Sequence, residues 1–132
     1  GFESAPKEDY YLKVRNLKEM KERLDPITLG NFVGVMEEAV RLSGFANEDV
    51  DFIAPIFMKR SILLGLLDNF GLNEENSFLL EDYGHCQSAD CFLSIENGLR
   101  LGRLKEGDLA VLISAGTGYT WASTAIRWGK VK

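Results

Sequence analysis

Leu17, Met20 and Leu24 stand three and four residues apart in an otherwise charged stretch, which predicts a helix over residues 16–24. Asp25-Pro26 then reads as an N-cap followed by proline at a first helical position, the start of a second helix. That helix carries Ile27, Val33, Met36, Ala39 and Val40 and stops at Ser43-Gly44. Gly30 and Gly34 lower its propensity, so another backbone is expected to pack closely against them. Upstream, Tyr10-Tyr11-Leu12-Lys13-Val14-Arg15 alternates weakly and predicts a short strand.

Past a turn at Asn47-Glu48-Asp49, Val50-Asp51-Phe52-Ile53-Ala54 predicts a short buried strand closed by Pro55. Residues 57–70 read as an apolar helix ended by Gly71, and Ser77-Phe78-Leu79-Leu80 as another strand. A further helix is predicted over residues 88–101, with Ala89, Phe92, Leu93, Ile95 and Leu99 as its apolar positions. The unbroken apolar run from Leu109 to Ser114 suits a strand covered on both faces, and the alternating residues 119–128 should pair beside it. Strands separated by helices of this length call for right-handed crossovers and an α/β fold in a single domain over residues 1–132.

Composition adds limits to that outline. Apolar residues at 45% and charged residues at 27% are ordinary for a globular chain. No run approaches the roughly 18 apolar residues that span a bilayer. The start, Gly1-Phe2-Glu3-Ser4-Ala5-Pro6-Lys7, has neither a methionine nor a signal-like region and looks like an interior loop, so a larger protein is expected. A net charge of −5 argues against nucleic-acid or anionic-membrane partners, although Lys59-Arg60 is a candidate basic patch. Cys86 and Cys91, five apart on one predicted helix, point to different sides, so no internal disulfide is expected. A reduced, cytoplasmic setting follows. One histidine and these cysteines give no metal-ligand spacing.

Two segments carry the candidate chemistry. Tyr83-Gly84-His85-Cys86-Gln87-Ser88-Ala89-Asp90 is a loop entering a helix and holds the only histidine. Ser114-Ala115-Gly116-Thr117-Gly118-Tyr119-Thr120-Trp121 is a strand that breaks into a glycine turn and returns. Imidazole exchanges protons near neutrality, which makes His85 a candidate base or donor; the alternative is an exposed or structural histidine. Cys86 reads as a small packing residue or as a thiol activated near a helix start, and Cys91 as core. Asp90, with Gln87 and Ser88, is expected to cap or support the first turn of the helix; the other reading has Asp90 orienting His85.

With Gly102-Arg103-Leu104-Lys105-Glu106-Gly107-Asp108 between them, these segments resemble the C-terminal half of the β-ketoacyl-acyl-carrier-protein synthase III family of the thiolase superfamily. The resemblance runs from about Tyr10 to Trp128. It implies a thiolase-like α/β half, βαβαβαββ, with helices on both faces of a mixed sheet. A nucleophilic cysteine belongs to an N-terminal half outside this chain. The family's Pro-His-Gln-Ala-Asn motif falls on Pro55-Ile56-Phe57-Met58-Lys59, so Ile56 replaces a histidine that polarises the thioester. Its Gly-Asn-Thr-Ser-Ala-Ala motif falls on Gly84-His85-Cys86-Gln87-Ser88-Ala89, with His85 at the asparagine. Its glycine turn falls on Gly116-Thr117-Gly118-Tyr119-Thr120-Trp121, where Gly118 N–H is the candidate oxyanion donor.

The resemblance implies an acyltransferase of fatty-acid or related acyl metabolism. Its substrates would be coenzyme A or phosphopantetheine thioesters, from acyl-coenzyme A or acyl carrier protein, with no permanently bound cofactor and a homodimeric assembly. Lys59 and Arg60 would meet coenzyme A phosphates or an acidic carrier surface, or else form a solvated face. The alternative function is a non-catalytic thiolase-fold partner for dimerisation or acyl binding, which the apolar Ile56, Phe57 and Met58 would suit.

Overall fold

A computed structural model describes residues 14–130. Helix α1 spans Leu17–Leu42 without interruption, where the sequence suggested two helices. Asn16 is its cap, with Oδ1 accepting the N–H of Glu19 at 3.1 Å. Pro26 therefore lies inside the helix rather than at a start. A proline removes one intrahelical donor and crowds the preceding turn, but its fixed φ remains helical. The next turn gains a bond from Thr28 Oγ1 to the carbonyl of Leu24, at 2.7 Å. Asp25 does not cap; its carboxylate faces the Lys59 ammonium at 3.5 Å.

Strand β1 is Val50–Pro55, and helix α2 is Arg60–Asn69. Helix α3 is Asp90–Arg100, β2 is Leu109–Gly116 and β3 is Thr120–Arg127. The sheet order is β1-β2-β3, parallel between the first pair and antiparallel between the second. Side chains alternate between its faces. Ile53, Val111 and Ile113 meet Phe32, Met36 and Val40 of α1 and Leu63, Leu66 and Leu67 of α2. On the other face, Phe52, Ala54 and Ala110 meet Cys91 and Ile95 of α3. This is the α/β architecture with helices on both faces expected from the sequence.

The strand expected at residues 77–80 is reduced to one parallel bridge, Ile53 with Ser77. Side chains take the backbone groups a ladder would have used. Ser77 Oγ donates to the carbonyl of Ile53 at 2.7 Å, Asn76 Nδ2 to that of Asp51 at 3.0 Å, and Ser94 Oγ to that of Phe78 at 2.8 Å. Of the strand expected at residues 10–15, residues 10–13 lie outside the described residues, and Val14 and Arg15 are not in a strand.

The close backbone approach expected at Gly30 and Gly34 is absent, because a Cβ at either would meet open space. Gly98 of α3 is the crowded one: a Cβ there would lie 2.5 Å from the buried Phe52 ring. Absence of a side chain thus lets α3 settle onto β1. Helix α2 begins three residues later than expected, and the Phe57 N–H, instead of starting a helix, is taken by Asp90. Cys86 precedes α3 instead of sharing it with Cys91, and both cysteines are free thiols.

Candidate active site

The loop that presents His85 is shaped by its own backbone. Gly84 has φ +72°, in the left-handed region that glycine enters without strain, and its N–H closes a turn onto the carbonyl of Leu80 at 2.8 Å. Tyr83 anchors the same turn, its hydroxyl donating to Asn97 Oδ1 of α3 at 3.3 Å. Gln87 then adopts φ +56°, a conformation that costs a residue with a Cβ about 1–2 kcal/mol. A single 3₁₀ turn, Gln87–Ala89, leads into α3.

This double reversal brings Asp90 beneath His85. Asp90 Oδ2 lies 2.6 Å from His85 Nδ1, and the same oxygen accepts the Phe57 N–H at 2.8 Å. Oδ1 accepts the Cys86 N–H at 2.7 Å. The carboxylate side chain is 1% exposed, whereas His85 is 42% exposed. Burial opposes the Asp90 charge, but the Phe57 and Cys86 N–H groups and His85 outweigh it and hold the carboxyl below its ordinary range. An ionised carboxylate only accepts, so His85 Nδ1 carries a proton toward it and Nε2 is the ring nitrogen left facing away from Asp90. Asp90 therefore orients His85 and does not cap α3. Gln87 and Ser88 do not cap it either: the N-cap of α3 is Ala89, whose side chain makes no capping bond.

His85 opens on a cavity of about 580 Å³ at the end of β2 and β3. Ile56 lines the same cavity, so the two positions singled out in the sequence, 56 and 85, share one site. Gln87, Ser88, Ser114 and Thr120 contribute polar groups to its wall. Cys91 reaches it too, but its thiol donates to the Ile113 carbonyl at 3.2 Å, and burial pushes its pKa up. Cys91 is packing, as expected.

Other predicted residues lie apart. Gly118 is at the tip of the β2–β3 turn with φ +130°. Gly116 and Thr120 on either side of that turn line the cavity, but Gly118 does not. Tyr119 and Trp121 stack at 6.4 Å between ring centroids and line a separate groove of about 700 Å³ with the first turns of α1. Lys59 and Arg60 do not line the His85 cavity. Arg60 is held between Glu81, at 3.1 Å, and Glu74, which raise its pKa further. Gln87 was given only a supporting part by the sequence; its place in the cavity follows from the left-handed backbone, which no residue type there announces.

A mixed sheet flanked by helices, with a histidine loop and a glycine turn at one end, has the architecture of a thiolase-like half. The family model for the 3-oxoacyl-[acyl-carrier-protein] synthase III C terminal matches residues 40–128, and the chain belongs to that family. β-Ketoacyl-[acyl-carrier-protein] synthase III 1 of Bacillus cereus is 33% identical over 89 residues, 67% of this chain and 29% of that protein. The protein of the same name from Halalkalibacterium halodurans is 34% identical over 99 residues, 74% of this chain and 30% of its own. The crystal structure of the Thermus thermophilus synthase III superposes with a TM-score of 0.74 at 26% identity, covering 82% of this chain and 34% of that one. The chain thus spans less than a third of the curated relatives it matches.

Proposed function

We propose that this chain is the C-terminal half of a synthase III-type acyltransferase in which His85, held by Asp90, is the base. The observation that carries this reading is the 2.6 Å contact of His85 Nδ1 with a buried, ionised Asp90 in a cavity shared with Ile56. The nucleophile is a cysteine of the N-terminal half. His85 Nε2 takes the thiol proton, and the thiolate attacks the carbonyl of an acyl-coenzyme A or acyl-carrier-protein thioester. Collapse of the tetrahedral adduct breaks the donor's C–S bond, and the departing thiolate takes the proton back from the imidazolium that Asp90 stabilises. In the second half-reaction the acceptor surrenders its proton to Nε2 and attacks the acyl-cysteine; the adduct's cysteine C–S bond breaks, and the cysteine thiolate takes that proton back.

Isoleucine at position 56 has no proton to give, so this site favours transfer to a protic acceptor over decarboxylation of a malonyl partner. Gly118 N–H, which donates to no backbone carbonyl among the described residues, is the backbone donor proposed for the oxyanion. The coenzyme A phosphates are assigned to Lys59 and Arg60, with Lys59 the readier contact, since a phosphate at Arg60 must displace two carboxylates. A homodimer in the cytoplasm, acting in fatty-acid or related acyl metabolism, completes the reading.

The test is the intact mass of the full-length protein after incubation with acetyl- and octanoyl-coenzyme A. An acyl-sized gain that His85→Ala abolishes is expected. A gain indifferent to His85 rejects the base, and no gain from these donors or from the corresponding acyl carrier proteins favours the non-catalytic partner that the apolar Ile56 and Phe57 would suit.

A further inference from the structure

Attack on a thioester throws charge onto its carbonyl oxygen, and a site that lowers that barrier places hydrogen-bond donors there in advance. Among the described residues that line the His85 cavity, His85 and Gln87 carry side-chain N–H groups, and Ser88, Ser114, Thr120, Ser123 and Thr124 carry hydroxyls. His85 is committed on one side to Asp90 and on the other to proton exchange. The Gly118 N–H proposed above belongs to the β2–β3 turn beside the cavity and leaves the wall itself to other donors. Gln87 lines that wall, and among the described residues its side-chain amide forms no hydrogen bond, whereas its neighbours Cys86 and Asp90 are tied to one another. Its backbone is held at φ +56° although glycine would sit there without strain, and that strained residue stands two positions from the proposed base. Gln87 thus presents an exposed amide with no protein partner among the described residues, on a strained backbone at the cavity wall beside the proposed base.

We propose that the Gln87 side-chain amide donates to the thioester carbonyl oxygen as it becomes an oxyanion. This rests on the acyl-transfer reading above and adds a second group to it. As the S–C bond from the nucleophile forms, the carbonyl π pair moves to oxygen, where a Gln87 N–H meets it. As the bond to the coenzyme A sulfur breaks, the pair returns, and the released thiolate takes its proton from His85. The amide itself exchanges no proton.

Two substitutions separate the amide from the backbone. Gln87→Glu keeps the shape and removes the donors; Gln87→Gly removes the side chain and relieves the strain. In the full-length protein, acylation by acetyl-coenzyme A, followed by intact mass at short times, should slow about 100-fold in both. The melting temperature of Gln87→Gly should be no lower than that of wild type. Acylation within threefold of wild type in both variants would overturn the inference, as would a marked fall in the melting temperature of Gln87→Gly. Acylation that needs His85 but not Gln87 refutes this inference alone. A wild-type protein that takes no acyl group refutes it together with the reading beneath it.

Discussion

Asp90→Asn is the perturbation whose consequences are most fully set by the geometry. The carboxylate accepts from the Phe57 N–H at 2.8 Å, the Cys86 N–H at 2.7 Å and His85 Nδ1 at 2.6 Å, and it is 1% exposed. Asparagine keeps one oxygen and puts an NH₂ where the other was. Facing either way, it turns a donor toward a backbone N–H and leaves that part-buried group unpaired, at about 1–3 kcal/mol. The bonds that survive lose their charge, which takes away roughly another 1 kcal/mol. The expected destabilisation is about 3 kcal/mol, read as a lower urea midpoint at an unchanged slope. Its pH dependence has a definite sign. The native Asp90 pKa is lowered, so its contribution is present above the unfolded value of about 3.9 and is lost as pH falls through the native value. The gap between wild type and variant should therefore hold from pH 7 to about 4 and close only below that. A gap under about 0.5 kcal/mol at pH 7, or one that stays constant from pH 7 to 3, would refute the assignment of Asp90 as a charged anchor.

Gly98→Ala should destabilise by about 1–3 kcal/mol, because its Cβ would press on the buried Phe52 ring; Gly30→Ala, in open space on a helix, should stabilise by about 0.5–1 kcal/mol. Urea titration of the pair checks both signs. Under native alkylation with iodoacetamide, half-buried Cys86 should react well before Cys91, whose thiol is buried and raised in pKa; equal rates by peptide mass would contradict the packing described. Lys59→Ala should raise KM for acyl-coenzyme A with little change in kcat, and Arg60→Ala should raise it less, since its guanidinium is engaged by Glu81 and Glu74. Steady-state kinetics of the full-length protein decides between the two residues.

The apolar rhythm made the core legible. Phe52, Leu66, Val111 and Ile113 all lie in elements that spacing had located, and all are buried. The glycine turn and the histidine loop carried enough of a family's pattern to point to the correct half-fold. Pro26 misled because a start signal and a tolerated interior proline read alike, and the winning cap, Asn16, lies ten residues earlier. Residues 77–80 misled because the backbone carbonyls of Ser77 and Phe78 are satisfied by side chains from distant segments, Arg103 and Ser94, which no local pattern encodes. At the site, His85 and Asp90 are five apart, an offset that a continuous helix would turn away from each other. It is the left-handed Gln87 and the turn after it that bring them together, and a glutamine gives no sign of that conformation.

The central claim is that Asp90 holds His85 so that Nδ1 carries the proton and Nε2 is free. Proton–nitrogen NMR of the histidine side chains in the full-length protein, with His85→Gln to assign the signal, tests it directly. The account predicts a proton on His85 Nδ1, strongly downfield and slowly exchanging, that disappears in Asp90→Asn. A ring protonated on Nε2, or an Nδ1 proton unchanged in Asp90→Asn, would contradict it.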